Sequence, residues 1–258
     1  MGNVQLLDRT RKIAGLLHQN NEGKVLFDDI CRVICDCLDV NCLVFSRKGK
    51  ILGTQSVSDL PEISDLSGIK VGDFANGELN ARFLEVLSTK ENVNLETLGF
   101  ELTGISDYKA IVTPIIVAGD RLGTLFMYRR AKEFDIDDII LCEYSTSVIG
   151  LEMLRSVSEE ISEENRRIQD AKTAVSTLST SEFEAVVQVF EELSGMEGIL
   201  VASKVADRMG ITRSVIVNAL RKLESAGVIE AKSSGMKGTY IKVLNESVFD
   251  EIGKARKN

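Results

Sequence analysis

The sequence predicts an α+β chain: an antiparallel sheet with helices outside it, then one long helix, then a helical second half that ends in a hairpin. Three observations carry this. Residues 110–117 and 122–128 are near-continuous apolar runs separated by Ala118-Gly119-Asp120, the pattern of a hairpin in a covered sheet. Residues 137–178 contain no Pro and a single Gly, Gly150, so little interrupts a long helix. Residues 199–243 read as helix, tight turn, helix and two strands.

Taken in order, residues 3–18 carry apolar side chains at 4, 6, 7, 13, 14, 16 and 17, a helical spacing that ends at Asn20–Gly23. Phe27–Leu38 is a second predicted helix, and Cys42–Phe45 and Ile51–Leu52 flank Arg47-Lys48-Gly49-Lys50 as a first hairpin. Between the hairpins, residues 54–108 are expected to be irregular, because glycines at 68, 72, 77, 99 and 104 interrupt any long element. Long loops over a rigid sheet are where small ligands are usually held. In the long helix, Leu154, Ile161, Ile168 and Val175 repeat every seven residues, with Val157, Ala171 and Leu178 at the complementary positions. Glu164 breaks the second series, and charges at 159, 160, 163, 164, 166 and 167 make the middle of the helix solvated. This helix is read as a connector that offers a weak seam for a homodimer. Ser181-Glu182-Phe183-Glu184 has the spacing of a capping box and is expected to open the next helix, through Leu193. The predicted domains are 1–136, a connector over 137–178, and 179–258.

The most specific chemistry lies in 199–243. Leu200–Met209 has apolar residues at 201, 205, 206 and 209, and Gly210 follows where a left-handed residue can end a helix. Thr212 is expected to cap the next helix, 213–226, through its hydroxyl. At about 100° per residue, Val215, Ile216, Ala219, Leu220, Leu223 and Ala226 share one arc. Arg213, Ser214, Val217, Asn218, Arg221 and Lys222 share the other. Arg reaches guanine edges, Asn adenine edges and Val a thymine methyl, so this second arc suits the major groove of double-stranded DNA. Ser203 and Thr212 join the predicted contacts, as does Lys237 in the loop 233–238, a wing between strands Val228–Lys232 and Thr239–Val243. Eight basic groups face three acidic ones across 199–243, a local excess of five in a chain of net charge −8. That is the electrostatic footprint of a phosphate-binding face. The competing reading is a winged helix-turn-helix used for protein contacts, its basic face merely solvated. Base-reading side chains paired with a separate basic wing favour DNA.

At these residues the sequence resembles a known family. The run Ala202-Ser203-Lys204-Val205-Ala206-Asp207-Arg208-Met209-Gly210-Ile211-Thr212-Arg213-Ser214, with Asn218-Ala219-Leu220-Arg221-Lys222-Leu223-Glu224 and Gly235-Met236-Lys237-Gly238-Thr239-Tyr240, is similar to the DNA-binding domain of the CodY family. These are nutrient-sensing global repressors of low-GC Gram-positive bacteria. The resemblance is close over 199–245 and looser over the rest. It implies a GAF-type fold for the first domain and a repressor that binds an operator, not an enzyme. It also implies isoleucine, leucine or valine as effector, and GTP as a second, for which no residue here marks a site. Asn80–Leu87 resembles the family's stretch in which an arginine holds the effector's α-carboxylate and later apolar residues its side chain. Arg82 matches that arginine, Phe83 and Val86 stand where the family commonly has methionines, and Phe100 matches a pocket phenylalanine. The segment 88–99 is shorter than in the best-known members, a Phe-Pro-x-x-Tyr run is absent, and Leu98 and Glu101 replace Thr and Pro. Those departures leave the effector open, with Arg82 as a plain surface arginine the competing reading. Arg121, the other arginine between Lys50 and Arg129, is expected in a hairpin turn facing solvent.

With 258 residues and 44% hydrophobic content the chain can bury two cores. No apolar run approaches the roughly 20 residues that span a bilayer. Acid and base interrupt the amino terminus before any apolar stretch, so a soluble, cytoplasmic protein without membrane contact is expected. Cys31, Cys35, Cys37 and Cys42 cluster, yet only Cys31 and Cys35 share a face of the 27–38 helix and the spacing is not Cys-x-x-Cys. Buried reduced thiols are the expected reading, and a redox-sensing regulator built on the cluster is the alternative. Neither a metal site nor a cofactor is expected. His18 has no nucleophile beside it, and Gly23-Lys24 and Gly49-Lys50 lack the rest of a phosphate loop. Without an acid–base constellation, an enzyme of the GAF superfamily is disfavoured.

Overall fold

The computed structural model describes residues 2–18, 27–57, 66, 68–100, 108–193, 195–233 and 238–256. They form two compact units, Met1–Val157 and Ser158–Asn258. The first contains α1 (Gly2–His18), α2 (Phe27–Leu38), β1 (Asn41–Ser46), β2 (Ile51–Gln55), α3 (Gly77–Glu85), β3 (Lys90–Val93), β4 (Tyr108–Val117), β5 (Asp120–Arg130) and the first half of α4 (Ile136–Ser176). The strands form one antiparallel sheet in the order β2-β1-β5-β4-β3. The segment expected to be irregular holds an ordered helix, because Asn76 accepts the Glu78 N–H at 3.0 Å and so caps α3. Asn94 does the same for a single 3-10 turn over Leu95–Leu98.

The apolar runs in the strands follow from burial on both faces. Cys42, Val44, Ile111, Ile115, Leu125 and Met127 point into one layer with Ile13, Ile30, Ile34, Leu141 and Ile149 of the helices. Their neighbours Leu43, Phe45, Ala110, Val112, Phe126 and Tyr128 point the other way, into a layer closed by Leu79, Phe83, Leu95 and Phe100. The register pairs Val44 with Leu125 and Val112 with Phe126, so each layer is built from opposed residues.

At a rise of about 1.5 Å per residue, the 41 residues of α4 span roughly 60 Å. Its start is fixed by a reciprocal pair, in which Asp138 N–H donates to Asp135 Oδ1 at 3.0 Å and Asp135 N–H to Asp138 Oδ2 at 3.2 Å. Leu141, Cys142, Val148, Ile149 and Met153 pack on the sheet. Residues 158–170 are exposed on every side, and Ala171, Ala174 and Val175 enter the core of the second unit. The helix expected as a separate connector over 137–178 is thus divided, its two ends belonging to the two units.

The second unit continues with α5 (Thr180–Leu193), β6 (Glu197–Leu200), α6 (Ala202–Met209), α7 (Arg213–Ser225), β7 (Ile229–Ser233), β8 (Thr239–Val243) and α8 (Ser247–Ala255). Ile199 and Leu200, expected to lead into α6, pair instead with Tyr240 and Thr239, giving a three-stranded sheet in the order β6-β8-β7. The capping box sits two residues earlier than expected. Ser179 N–H donates to Glu182 Oε2 at 2.8 Å, and Glu182 N–H to Ser179 Oγ at 3.4 Å.

Candidate DNA-reading surface and effector cavity

Helix α6 ends on Gly210, whose φ of 68° places it in the left-handed region that a residue with Cβ disfavours. Thr212 then takes the extended backbone of an N-cap, but its hydroxyl makes no capping bond; Val215 N–H is satisfied at 3.0 Å by the Thr212 carbonyl. The expected cap is therefore absent, and Thr212 is exposed. Helix α7 buries Ile216, Ala219, Leu220 and Leu223. Arg213, Ser214, Asn218 and Arg221 are exposed and Val217 is half-buried, as the wheel predicts, whereas Ala226, assigned to the apolar arc, is exposed. Ser203 is exposed at the start of α6. Lys237 and the wing tip lie outside the described residues.

Lys222 departs from the expectation that it faces DNA. Its Nζ donates to the Thr177 carbonyl at 2.9 Å and to Glu182 Oε2 at 2.7 Å, so the ammonium is taken up by the α4–α5 corner. The physical reason is its place on the wheel, about 180° from Arg213, at the border between polar and apolar arcs. Arg208 is likewise paired, with Glu192.

In the first unit, Arg82 lies in the last turn of α3 and donates from Nη1 to the Leu98 carbonyl at 2.8 Å. Its Nη2 stands 3.8 Å from Glu78, an exposed carboxylate one turn earlier. Both line a cavity of about 230 Å³ with Asn76, Leu79, Leu98, Gly99 and Phe100. A Cβ on Gly99 would stand 1.3 Å from Arg82 Nη1, so glycine is what lets the guanidinium reach this spot. Phe83 and Val86 are not part of the lining. Phe83 is fully buried between Phe45 and Phe126, with ring centroids 5.3 and 5.1 Å away, and Val86 is buried in the same layer. Glu78 and Asn76 also line this cavity, and Asn76-Gly77-Glu78 before an apolar run is the helix-start signal in the sequence that marks them.

Arg121 corrects a second expectation. Rather than facing solvent, it donates to the carbonyls of Val86 at 2.7 Å and Phe83 at 3.2 Å, and to Thr124 Oγ1 at 2.9 Å. It satisfies the open carbonyls at the end of α3, and burial lowers its pKa from the ordinary value.

All five cysteines are buried and unpaired with one another as disulfides. Burial pushes the Cys142 thiol up to about 12, and raises Cys42, beside Cys31 and Cys35, well above the usual thiol value. Buried protonated thiols are poor nucleophiles, which argues against the redox alternative. Among the described residues no group of three or more His, Cys, Asp or Glu could hold a metal ion, and no helix is long and apolar enough to cross a membrane.

Residues 5–177 match the model of the CodY GAF-like domain and residues 196–256 that of the CodY helix-turn-helix domain. The chain is 45% identical over 260 residues to the global transcriptional regulator CodY of Geobacillus thermodenitrificans, covering 99% of this chain and 100% of that one. Against the same-named protein of Clostridium perfringens it is 45% identical over 256 residues, 97% of this chain and 99% of that one. A solved structure of the GAF domain of the nutrient sensor CodY from Clostridium difficile, described as cofactor-binding, is 32% identical, covers 57% of this chain and 96% of that one, and has a TM-score of 0.43. These relatives are named regulators of transcription, a role without catalysis. The exposed face of α7 and the two domain matches agree: this chain is a DNA-binding transcriptional regulator and belongs to the CodY family.

Proposed function

We propose that this regulator is a repressor whose GAF-like unit senses isoleucine, leucine or valine. The observation that carries it is that Arg82 and Glu78, 3.8 Å apart, line the same 230 Å³ cavity as the apolar side chains of Leu79, Leu98 and Phe100. An amino acid is a zwitterion, and its two charges need opposite partners when they leave water. Arg82 offers a planar fork to the carboxylate and Glu78 an acceptor to the ammonium, while Leu79, Leu98 and Phe100 accept an aliphatic side chain. On α7, Arg213, Asn218 and Arg221 read operator bases in the major groove, with Ser203, Thr212, Ser214 and Val217 at its edge. The reader works as a homodimer, which two-fold operators require.

Calorimetry with isoleucine, valine and GTP, on the parent and on Arg82→Ala, tests the sensing role. The parent should bind an aliphatic amino acid, and Arg82→Ala should weaken it by about 10- to 100-fold, the scale of one or two charge-assisted hydrogen bonds. Equal affinity in the two proteins removes Arg82 from the site.

A further inference from the structure

A single lysine ties the recognition helix to the end of the long helix. Lys222 sits in the last turn of α7, and its Nζ donates both to the Thr177 carbonyl, just beyond the end of α4, and to Glu182 of α5. Glu182 is committed on its other side, accepting the Ser179 N–H at 2.8 Å in the box that starts α5. Its side chain is only 11% exposed and that of Lys222 is 41% exposed, so a half-exposed ammonium meets a largely buried carboxylate. The Lys222 pair and the Ser179 N–H together hold the Glu182 carboxyl below its usual range. Thr177 O is one of the open carbonyls that a helix leaves at its C-terminus, and a lysine is a natural donor to it. Three helices therefore meet at one set of hydrogen bonds. By contrast, the side chains of Arg213, Ser214, Asn218 and Arg221 are exposed on the opposite side of α7 from its buried residues.

We propose that Lys222 and Glu182 are positioning residues for DNA reading: together they fix the tilt of α7 against the α4–α5 corner, and Lys222 does not contact phosphate. The inference rests on α7 being the helix that enters the groove. A shift of α7 moves Arg213, Asn218 and Arg221 together, so loss of the tie harms base reading while leaving the attraction to phosphates intact.

The test uses the full chain, a duplex enriched by the parent from a randomised pool, and a random-sequence duplex, each titrated across salt concentrations. Arg213→Ala serves as the check on docking, and must lose preference for the enriched duplex if α7 is the reader. Given that, Lys222→Met, which keeps the aliphatic stem, and Glu182→Gln should each lower the ratio of enriched to random affinity by about tenfold, the scale of one charge-assisted hydrogen bond. Neither should change the salt slope on random DNA, and the double variant should be no worse than either single one. Lys222→Arg, which can still donate to carbonyl and carboxylate, should restore most of the ratio. A phosphate-contacting lysine gives the opposite pattern. Lys222→Met would then shallow the slope by about 0.9 on both duplexes, and Glu182→Gln, which only removes an acid, would leave binding unchanged or tighter. That result overturns the proposal. Should Lys222→Met fail to fold, Glu182→Gln decides alone, since unchanged preference in that variant is equally fatal.

Discussion

Arg129 is 3% exposed, yet its guanidinium has no idle nitrogen. Nε donates to the Lys132 carbonyl and Nη1 to the Leu38 carbonyl, both at 3.1 Å. Nη2 donates to the Glu133 carbonyl and to Asp138 Oδ2, both at 2.5 Å, and the group lies 4.2 Å from the centroid of the Phe134 ring. These bonds join the end of α2, the β5–α4 turn and the first turn of α4. Removing one member of a buried pair leaves the other charge without compensation, at about 3–5 kcal/mol. Arg129→Leu should therefore lower the thermal midpoint far more than an exposed substitution, and adding Asp138→Leu should recover part of the loss. A midpoint within a degree or two of the parent would contradict this, as read by circular dichroism.

The start of α5 is decided by an element two helices away. Ser179-x-x-Glu182 and Ser181-x-x-Glu184 both have the box spacing, so the local pattern admits either. Lys222 settles it, because it pairs with Glu182 from 40 residues downstream. Ser179→Ala should cost about 1 kcal/mol of stability and Ser181→Ala close to nothing. The acid limb gives a second readout. Glu182 has its folded-state pKa depressed, first by Lys222 and then by the Ser179 N–H. A depressed carboxylate contributes stability above its unfolded value that is lost as pH falls through the folded value. Glu182→Gln should thus be less stable than the parent at pH 7, and the gap should close as pH falls below 4.5. A gap that persists undiminished into acid would mean that Glu182 stabilises by something other than its charge.

Across the whole molecule, α4 carries one apolar stripe that neither unit covers. Ile136, Ile140, Leu151, Leu154, Val157 and Ile161 are 41–73% exposed and lie within about 120° of the helix circumference. The heptad series read from sequence divides here: Leu154 and Ile161 remain exposed, while Ala171 and Val175 are consumed by the second unit's core. A homodimer along α4 would use the first half of the seam. Leu154→Glu with Ile161→Glu should then halve the mass measured by sedimentation at micromolar concentration. A parent that sediments as a monomer under the same conditions would exclude this seam.

The sequence by itself determined most of the elements and the class of partner, though not α3, β3 or β6. The apolar runs of β1, β4 and β5, the uninterrupted α4, and the polar arc of Arg213, Asn218 and Arg221 are all local patterns, set by backbone geometry and burial. Only the tertiary structure decided what the long or large side chains touch. Arg121 reaches Val86 across 35 residues, Lys222 reaches Glu182 across 40, and Phe83 is drawn from its expected place in the effector pocket into the ring cluster with Phe45 and Phe126. A helix wheel gives the direction in which a side chain leaves the backbone, but flexible stems and buried rings end wherever a distant open carbonyl, carboxylate or apolar layer offers the lowest free energy.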